Sequence, residues 1–327
     1  MLRHGLESGT PAHAYLFTGR EHIGKMKLAL TLAQALNCTG DEPPCGSCAA
    51  CEKIAAGGHA DVQIIGLVAD ENKENKLIST DQIEDMQHDA NLPPFEGNHK
   101  VFIIDNADLL SLTAHNRLLK TLEEPVERVT FILLTVNENL LPETVISRCQ
   151  RLELLPVPAE EIAAGLASGG AGPERADLLA RLSHGCPGWA YTAAGDDTVL
   201  SARDEEIERL RDIMTGDTGT RFEWVAQVAG RFTRNRKSVY SLLDTWLDYW
   251  RDLMLVKIGC HDMITNVDRR EELDETAGRY RLEDIRRFIG SIEAAAEQLR
   301  QNVNSRLALE VLMIDIPEMK EGSGTPA

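Results

Sequence analysis

Four cysteines are the residues of this chain most clearly arranged for chemistry. They lie within fourteen residues, in the spacing Cys-x6-Cys-x2-Cys-x2-Cys: Cys38, Cys45, Cys48 and Cys51. Four close thiolates can coordinate one metal ion tetrahedrally, and a metal ion with four cysteine ligands has no open position for a substrate. We therefore predict a structural zinc site, with a redox pair and an iron–sulfur cluster as the alternatives. The nearby His59 is then assigned a structural or hydrogen-bonding role.

A second candidate site is the glycine-rich segment Gly19–Gly24, which Lys25 and Met26 follow. It lies between an apolar run and an apolar helical pattern, the context of a phosphate-binding loop. Lys25 would reach the outer phosphates of a nucleotide. The motif requires Ser or Thr after the lysine as a magnesium ligand, and Met26 offers only a thioether. The metal half of this site is therefore missing.

An acidic motif shows a second loss. The apolar run Val101–Ile104 ends at Asp105, a carboxylate that could help to hold magnesium. Asn106 follows, and its amide cannot accept a proton from an attacking water as a carboxylate could. We predict no ATP hydrolysis by this chain and leave nucleotide binding open. The residues of this vestigial nucleotide site are Gly19, Gly24, Lys25 and Asp105.

Alternating apolar runs and helical patterns in the first half of the chain predict the elements that position these residues. This alternation is typical of a parallel α/β sheet. Between the third and fourth runs, apolar residues recur at helical spacing from Ala114 to Leu122, and Pro125 ends this predicted crossover helix. The candidate strands are Ala14–Thr18, Val62–Leu67, Val101–Asp105, Thr130–Thr135 and Arg151–Leu155.

The strand pattern stops after Pro156, and helical patterns occupy the rest of the chain. We predict an α/β P-loop domain at 1–155 with the four-cysteine module at 38–51, a small helical domain at 156–195, a larger helical domain at 196–320 and a disordered tail at 321–327. Trp246, Tyr249 and Trp250 lie on a broad apolar helical face. They are therefore predicted to pack in a core and not to form a base-stacking platform.

Composition narrows the class of protein. The 327 residues include 52 acidic and 34 basic side chains, a formal net charge of −18. Such a charge opposes autonomous binding to nucleic acid, since that affinity comes mainly from Lys and Arg, and it disfavours a zinc-dependent nucleic-acid-binding protein. No apolar run approaches the roughly 20 residues of a membrane span. We expect no signal peptide, no membrane partner and a cytoplasmic location.

Seven further segments carry a resemblance to known proteins: HAYLFTG (13–19), HADV (59–62), KVFIIDNADLL (100–110), NRLLKTLEEP (116–125), ETVISRC (143–149), YWRDLMLVKIG (249–259) and RLALEVLM (306–313). Together they resemble the clamp-loader branch of the AAA+ proteins, which serves the bacterial DNA polymerase III holoenzyme in DNA replication. The resemblance covers nearly the whole chain and includes the four cysteines. It implies an AAA+ P-loop domain, a helical lid and an all-helical collar that mediates oligomerisation.

The resemblance also implies a function. It points to a non-motor subunit of a hetero-oligomeric loader, with motor subunits and delta as partners and with the sliding clamp and primed DNA bound in the complex. Arg148 lies where such proteins carry an arginine that serves a neighbour's ATP; a local ion pair with Glu143 is the alternative. Gly188 aligns with a nucleotide-sensing arginine of the motors. The alternative function is an ATP-hydrolysing motor subunit or another AAA+ ATPase.

Overall fold

The computed structural model describes residues 2–67, 77–301 and 303–319. The chain forms two compact units, one of residues 1–157 with 185–189 and the other of residues 158–184 with 190–327. The three-domain division drawn from the sequence remains a prediction, and the predicted tail at 321–327 lies outside the described residues. Within the described ranges, no helix is both long and apolar enough to cross a bilayer.

A five-stranded parallel sheet forms the centre of the first unit, in the order β2-β3-β4-β1-β5. The five predicted strands are confirmed, with shifted ends. The second strand stops two residues before the predicted Leu67, and the fifth starts one residue earlier and ends two residues earlier than predicted. The strands are β1 (Ala14–Thr18), β2 (Val62–Ile65), β3 (Lys100–Ile104), β4 (Val129–Thr135) and β5 (Gln150–Glu153).

Helices cover both faces of the sheet because successive strand side chains point to opposite sides. Tyr15 and Phe17 pack with the second helix, whereas Leu16 packs with the fourth and fifth. The predicted crossover helix is confirmed; Ser111 caps its N-terminus by accepting a hydrogen bond from the Ala114 N–H. The helices are α1 (Leu2–Glu7), α2 (Lys25–Asn37), α3 (Ala49–Ala55), α4 (Thr80–Ala90), α5 (Leu112–Glu123) and α6 (Glu143–Ile146).

The chain after the sheet is helical, as predicted. Trp246, Tyr249 and Trp250 are fully buried, which confirms their core role. The Trp246 ring stacks on Trp224 with centroids 4.7 Å apart, and Trp250 meets Phe288 edge-on at 4.6 Å. The helices are α7 (Ala159–Ser168), α8 (Pro173–Leu182), α9 (Pro187–Ala194), α10 (Asp197–Thr215), α11 (Thr218–Arg234), α12 (Arg236–Lys257), α13 (Arg270–Gly278), α14 (Leu282–Arg300) and α15 (Ser305–Ile314).

The buried carboxylate of Asp61 fixes the loop before β3. It accepts hydrogen bonds from the backbone N–H groups of Phe95, Glu96 and Gly97 at 2.7, 2.8 and 2.7 Å. Burial raises the pKa of Asp61, but these three donors outweigh it and the pKa is lowered overall. Next to it His59, also buried, accepts the Asp61 N–H at Nδ1, so the predicted hydrogen-bonding role of His59 is confirmed.

Replacing Asp61 by alanine should lower the free energy of unfolding by about 1–3 kcal/mol, because three N–H groups lose their acceptor. A carboxylate whose pKa is depressed in the folded state stabilises the fold at pH values above its unfolded pKa of about 3.9. This stabilisation is lost as the pH falls through the folded pKa. The difference in free energy of unfolding between wild type and variant, measured by urea unfolding, should therefore become smaller near pH 3. Asp85→Ala, on the exposed face of α4, is the control; equal losses in both variants would contradict the role of Asp61.

Candidate nucleotide and metal sites

The glycine-rich loop joins β1 to α2, as a phosphate-binding loop does. Gly19 has a φ of 148°, and a Cβ there would lie 2.7 Å from the carbonyl oxygen of Leu154, so only glycine fits. Gly24, with a φ of 106°, forms the left-handed N-cap of α2. The sequence therefore keeps the backbone of the predicted loop and its position before a helix N-terminus.

Lys25 bonds within its own loop. Its Nζ donates hydrogen bonds to the carbonyl oxygens of Gly19 at 2.6 Å and Arg20 at 2.8 Å. Burial lowers the pKa of Lys25, and the carboxylates of Asp105, Glu21 and Asp108 oppose that shift. Burial likewise raises the pKa of Asp105, against the effect of Lys25. The structure thus brings Lys25 and Asp105, two of the predicted site residues, into one electrostatic environment.

Met26 lies where the phosphate-loop motif calls for a hydroxyl, and Gly188 lies where the resemblance implies a nucleotide-sensing arginine. The Met26 side chain is partly buried and packs against the core formed by β1, α2 and β3. Gly188 N–H donates to the His22 carbonyl oxygen at 2.9 Å, and a Cβ at 188 would lie 2.6 Å from that oxygen. In this arrangement position 188 has no room for any side chain, including an arginine.

Asn106 adopts a backbone conformation that suits its residue type. Its φ of 54° and ψ of 57° are left-handed, a region that asparagine tolerates much better than glutamate. It follows Asp105, whose backbone N–H donates to the Ile65 carbonyl oxygen at 2.8 Å. The local backbone geometry therefore favours an asparagine over a glutamate at position 106.

A polar pair that was not predicted from the sequence lies at the same edge of the sheet. Thr135, the last residue of β4, donates its hydroxyl to Asp108 Oδ1 at 2.6 Å and accepts the Asn137 N–H at 3.1 Å. Asp108 also acts on the pKa values of Lys25 and Asp105. The available signal was a polar residue, Thr135, directly after the apolar run Phe131–Leu134 and beside Asp105, since parallel strands end at a common edge.

Arg148 lies just after α6 and does not form the local ion pair with Glu143 that the sequence offered as an alternative. Its Nη2 donates to Glu123 Oε1 at 2.7 Å, and its Nη1 donates to the Thr144 carbonyl oxygen at 2.9 Å. Its side chain keeps 35% of its surface exposed. The local carboxylate is thus Glu123 of α5 and not Glu143. An exposed ion pair of this kind is worth only about 0–1 kcal/mol, so it can be exchanged for another anion.

The four clustered cysteines come together as predicted. All four Sγ atoms lie within 4.8 Å of one another, and those of Cys38 and Cys48 are 4.0 Å apart. Tetrahedral coordination at about 2.3 Å per sulfur requires separations of about 3.8 Å. Gly40 is confined by this cluster, since a Cβ there would lie 2.9 Å from the Cys45 Cβ. The four thiols therefore fit one metal ion.

Backbone N–H groups surround these sulfurs. The Sγ of Cys38 accepts from Cys45 N at 3.3 Å, and the Sγ of Cys45 accepts from Cys48 N at the same distance. N–H groups of Thr39 and Cys51 lower the pKa of Cys48 to about 5, whereas burial raises that of Cys51 to about 12. These donors favour thiolates, the form that binds metal. Outside the cluster, Cys149, Cys186 and Cys260 are partly or fully buried.

The fold and these sites define the class of protein: an AAA+ P-loop fold whose phosphate loop lacks the magnesium-binding hydroxyl, with an inserted four-cysteine module.

Comparison with known proteins finds relatives among the subunits of DNA polymerase III. The family model "DNA polymerase III, delta subunit" matches residues 1–158. The chain is 28% identical to the DNA polymerase III subunit delta' of Bacillus subtilis, over 97% of this chain and 94% of that protein. It is 39% identical to the tau subunit of Escherichia coli over 49% of this chain, but spans only 24% of tau. The chain is thus similar to delta, delta' and tau subunits of DNA polymerase III.

One solved structure aligns with most of this chain. A DNA polymerase III gamma subunit-related protein of Thermotoga maritima aligns with a TM-score of 0.48 and 18% identity, over 96% of this chain and 98% of that one.

Proposed function

We propose that this chain is the non-motor, delta'-like subunit of a DNA polymerase III clamp loader. In this role it assembles with motor subunits and delta and helps them to load the sliding clamp onto primed DNA. It supplies Arg148 to the ATP site of a neighbouring subunit and holds a structural zinc ion through the four clustered cysteines. Its relationship to delta' extends over almost the full length of both proteins.

The observation that carries the non-motor assignment is Met26. Its partly buried side chain packs against the core at the position where a motor needs a hydroxyl on magnesium. Two further features agree with this assignment. Asn106 cannot act as the base, and Gly188 N–H bonds to the loop carbonyl of His22 where no arginine fits. Each feature removes a different function: metal binding, activation of water and sensing of nucleotide.

One observation favours the alternative, an ATP-hydrolysing motor. The first half of the chain is more similar to tau of Escherichia coli, at 39% identity, than the whole chain is to delta', at 28%. The loop backbone and Lys25 are also retained. Under this alternative, Met26 and Asn106 would be tolerated in a working site, so direct measurement of turnover separates the two functions.

The purified chain should release phosphate from ATP at least about 100-fold more slowly than a motor subunit, because a missing general base alone costs about 10²–10⁴-fold. Lys25→Ala should leave this background rate unchanged. Lys27→Ala, which removes an exposed cation two residues further along α2, is the matched control. Turnover equal to that of a motor, abolished by Lys25→Ala and retained in Lys27→Ala, would establish the motor function instead.

Assembly provides a second test of the proposed function. The chain should copurify with motor subunits and delta as one complex, and omitting it should stop clamp loading by the other subunits. A complex that forms and loads clamps equally well without this chain would overturn the proposal.

A further inference from the structure

The loop between α4 and β3, residues 91–99, presents an exposed aromatic side chain. Phe95 is 86% exposed, and Leu92 in the same loop is 47% exposed. Large apolar side chains stabilise a fold when they are removed from water, and these two side chains contribute little in that way. The contacts that fix what we call the α4–β3 loop therefore come from its backbone and its polar groups.

Two buried side chains bind the backbone of the α4–β3 loop. The carboxylate of Asp61 accepts three N–H groups from its middle part. At its end, the N–H groups of Asn98 and His99 donate to Oδ1 of Asn37 at 2.8 and 2.9 Å. Asn37 is the buried last residue of α2, and Cys38 of the cysteine cluster follows it directly. The end of the loop is thus bonded to the residue that precedes the cluster.

The helix α3 contacts the same loop from the other end of the cysteine cluster. Lys53 of α3 forms an ion pair with Glu96, whose other carboxylate oxygen accepts the Ala60 N–H at 2.9 Å. This helix starts directly after Cys48, whose sulfur caps it by accepting the Cys51 N–H. The position of Lys53 therefore depends on where these two cysteines hold the helix.

The segment between these two contacts has little regular structure of its own. Residues 38–48 form neither helix nor strand. A metal ion held by four sulfurs can supply the stability that secondary structure supplies elsewhere. The loop also packs closely on this region, since a Cβ at Gly97 would collide with the side-chain oxygen of Asn37 and lie 3.0 Å from Cε1 of His59. Movement at either end of the segment would therefore reach the loop.

We propose that the cysteine cluster, when it holds its metal ion, orders the α4–β3 loop and thereby fixes the position of Phe95. A common metal ion restrains Cys38 and Cys51, which lie one and two residues from the loop's partners Asn37 and Lys53. Without the metal ion, both partners lose this restraint, and the three bonds to the carboxylate before β2 remain. This inference rests on the proposed zinc site and assigns to that site a function within the chain.

Hydrogen–deuterium exchange of the full chain, measured by mass spectrometry with and without zinc, tests this coupling. Removing zinc with a chelator should speed exchange across residues 95–99 about tenfold, the factor expected for the loss of about one hydrogen bond. Peptides from α12 should exchange at unchanged rates. Zinc content of the same samples separates two failures. Protein purified without zinc contradicts the metal site, whereas zinc removal that leaves loop exchange unchanged contradicts the coupling alone.

Zinc affinity provides a second measurement that keeps the metal in place. Because coupling between two sites is reciprocal, a variant that loosens the loop must also bind zinc more weakly. Glu96→Ala removes the ion pair with Lys53 and the bond from Ala60, so it should lower zinc affinity about 2- to 10-fold in competition with a chromophoric chelator. Loss of a negative charge does not by itself weaken binding of a cation, so this decrease would report the lost contacts.

Glu127→Ala is the matched control, since it removes an exposed carboxylate outside the α4–β3 loop. It should bind zinc as the wild type does. A Glu96→Ala variant with zinc affinity equal to or higher than that of the wild type would overturn the proposal. This result would count even if zinc removal unfolded the whole first unit, because the affinity is measured on folded, zinc-loaded protein.

Discussion

Cys48→Ser is expected to remove the metal ion from the purified chain and to destabilise its first unit. Cys48 is central to the cluster: its Sγ lies 4.0 Å from that of Cys38 and accepts the N–H of Cys51 at 3.5 Å. It also caps α3 through that same bond. A serine hydroxyl is a poor zinc ligand, so three thiolates would remain where a closed tetrahedral site needs four.

The expected loss of stability is large but smaller than for an isolated zinc finger. Structural zinc contributes about 10–16 kcal/mol in small peptides that do not fold without it. Here the sheet has its own core, so we expect a loss of about 3 kcal/mol or more, which approaches the stability of a marginal domain. The buried Cys51 and the bond from Gln34 to its carbonyl oxygen should transmit part of this loss to α2.

Metal content and unfolding of the same samples check this prediction. Protein purified under reducing, chelator-free conditions should contain about one zinc per chain by elemental analysis, and Cys48→Ser should contain almost none. Cys260→Ser, which changes a partly buried cysteine outside the cluster, should keep the zinc. Wild-type protein without zinc, or a Cys48→Ser variant that retains it, would show that the cluster is not a metal site.

Local sequence patterns were enough to predict the strands, the crossover helix and the cysteine cluster. In each case neighbouring residues determine the geometry: β1 is a continuous apolar run between a turn and a glycine, and the cysteines are too close in sequence to lie far apart in space. Strand ends were less accurate, as at β2, because hydrogen bonds to β3 determine where pairing stops and leave Leu67 exposed outside the strand.

Features that depend on distant contacts could not be predicted. The Glu123 partner of Arg148 lies on another helix, and Glu143 was the nearer carboxylate in sequence. The close approach of Gly188 to the phosphate loop follows from a hydrogen bond to His22, more than 160 residues away. The left-handed backbone at Asn106 is likewise invisible in a sequence pattern. Such contacts decide whether a retained motif is still active, and the motif alone does not.

Arg148→Ala, in a loader reconstituted with motor subunits and delta, is expected to slow ATP hydrolysis at the neighbouring site by about 10³-fold or more. An arginine supplied in trans has this effect because its fixed charge and forked donors stabilise the transferring phosphoryl group. Total ATP turnover by the complex should fall only by the fraction that this one site contributes. Clamp loading should slow more, since it requires the subunits to act together. The variant should still fold and assemble, as the side chain is part-exposed.

Glu123→Ala separates the proposed trans role from a structural one. Arg148 must release Glu123 to reach another subunit, so removing the carboxylate should leave the arginine free and keep clamp- and DNA-stimulated hydrolysis at or above the wild-type rate. If Arg148 only joins α5 to the segment after α6, both variants break the same 2.7 Å ion pair. They should then behave alike, with similar small losses of stability and unchanged hydrolysis.

A large defect in Arg148→Ala combined with normal or faster turnover in Glu123→Ala is the pattern that only an arginine acting on a neighbour's ATP predicts. An assembled Arg148→Ala complex with wild-type hydrolysis and loading rates would remove this role.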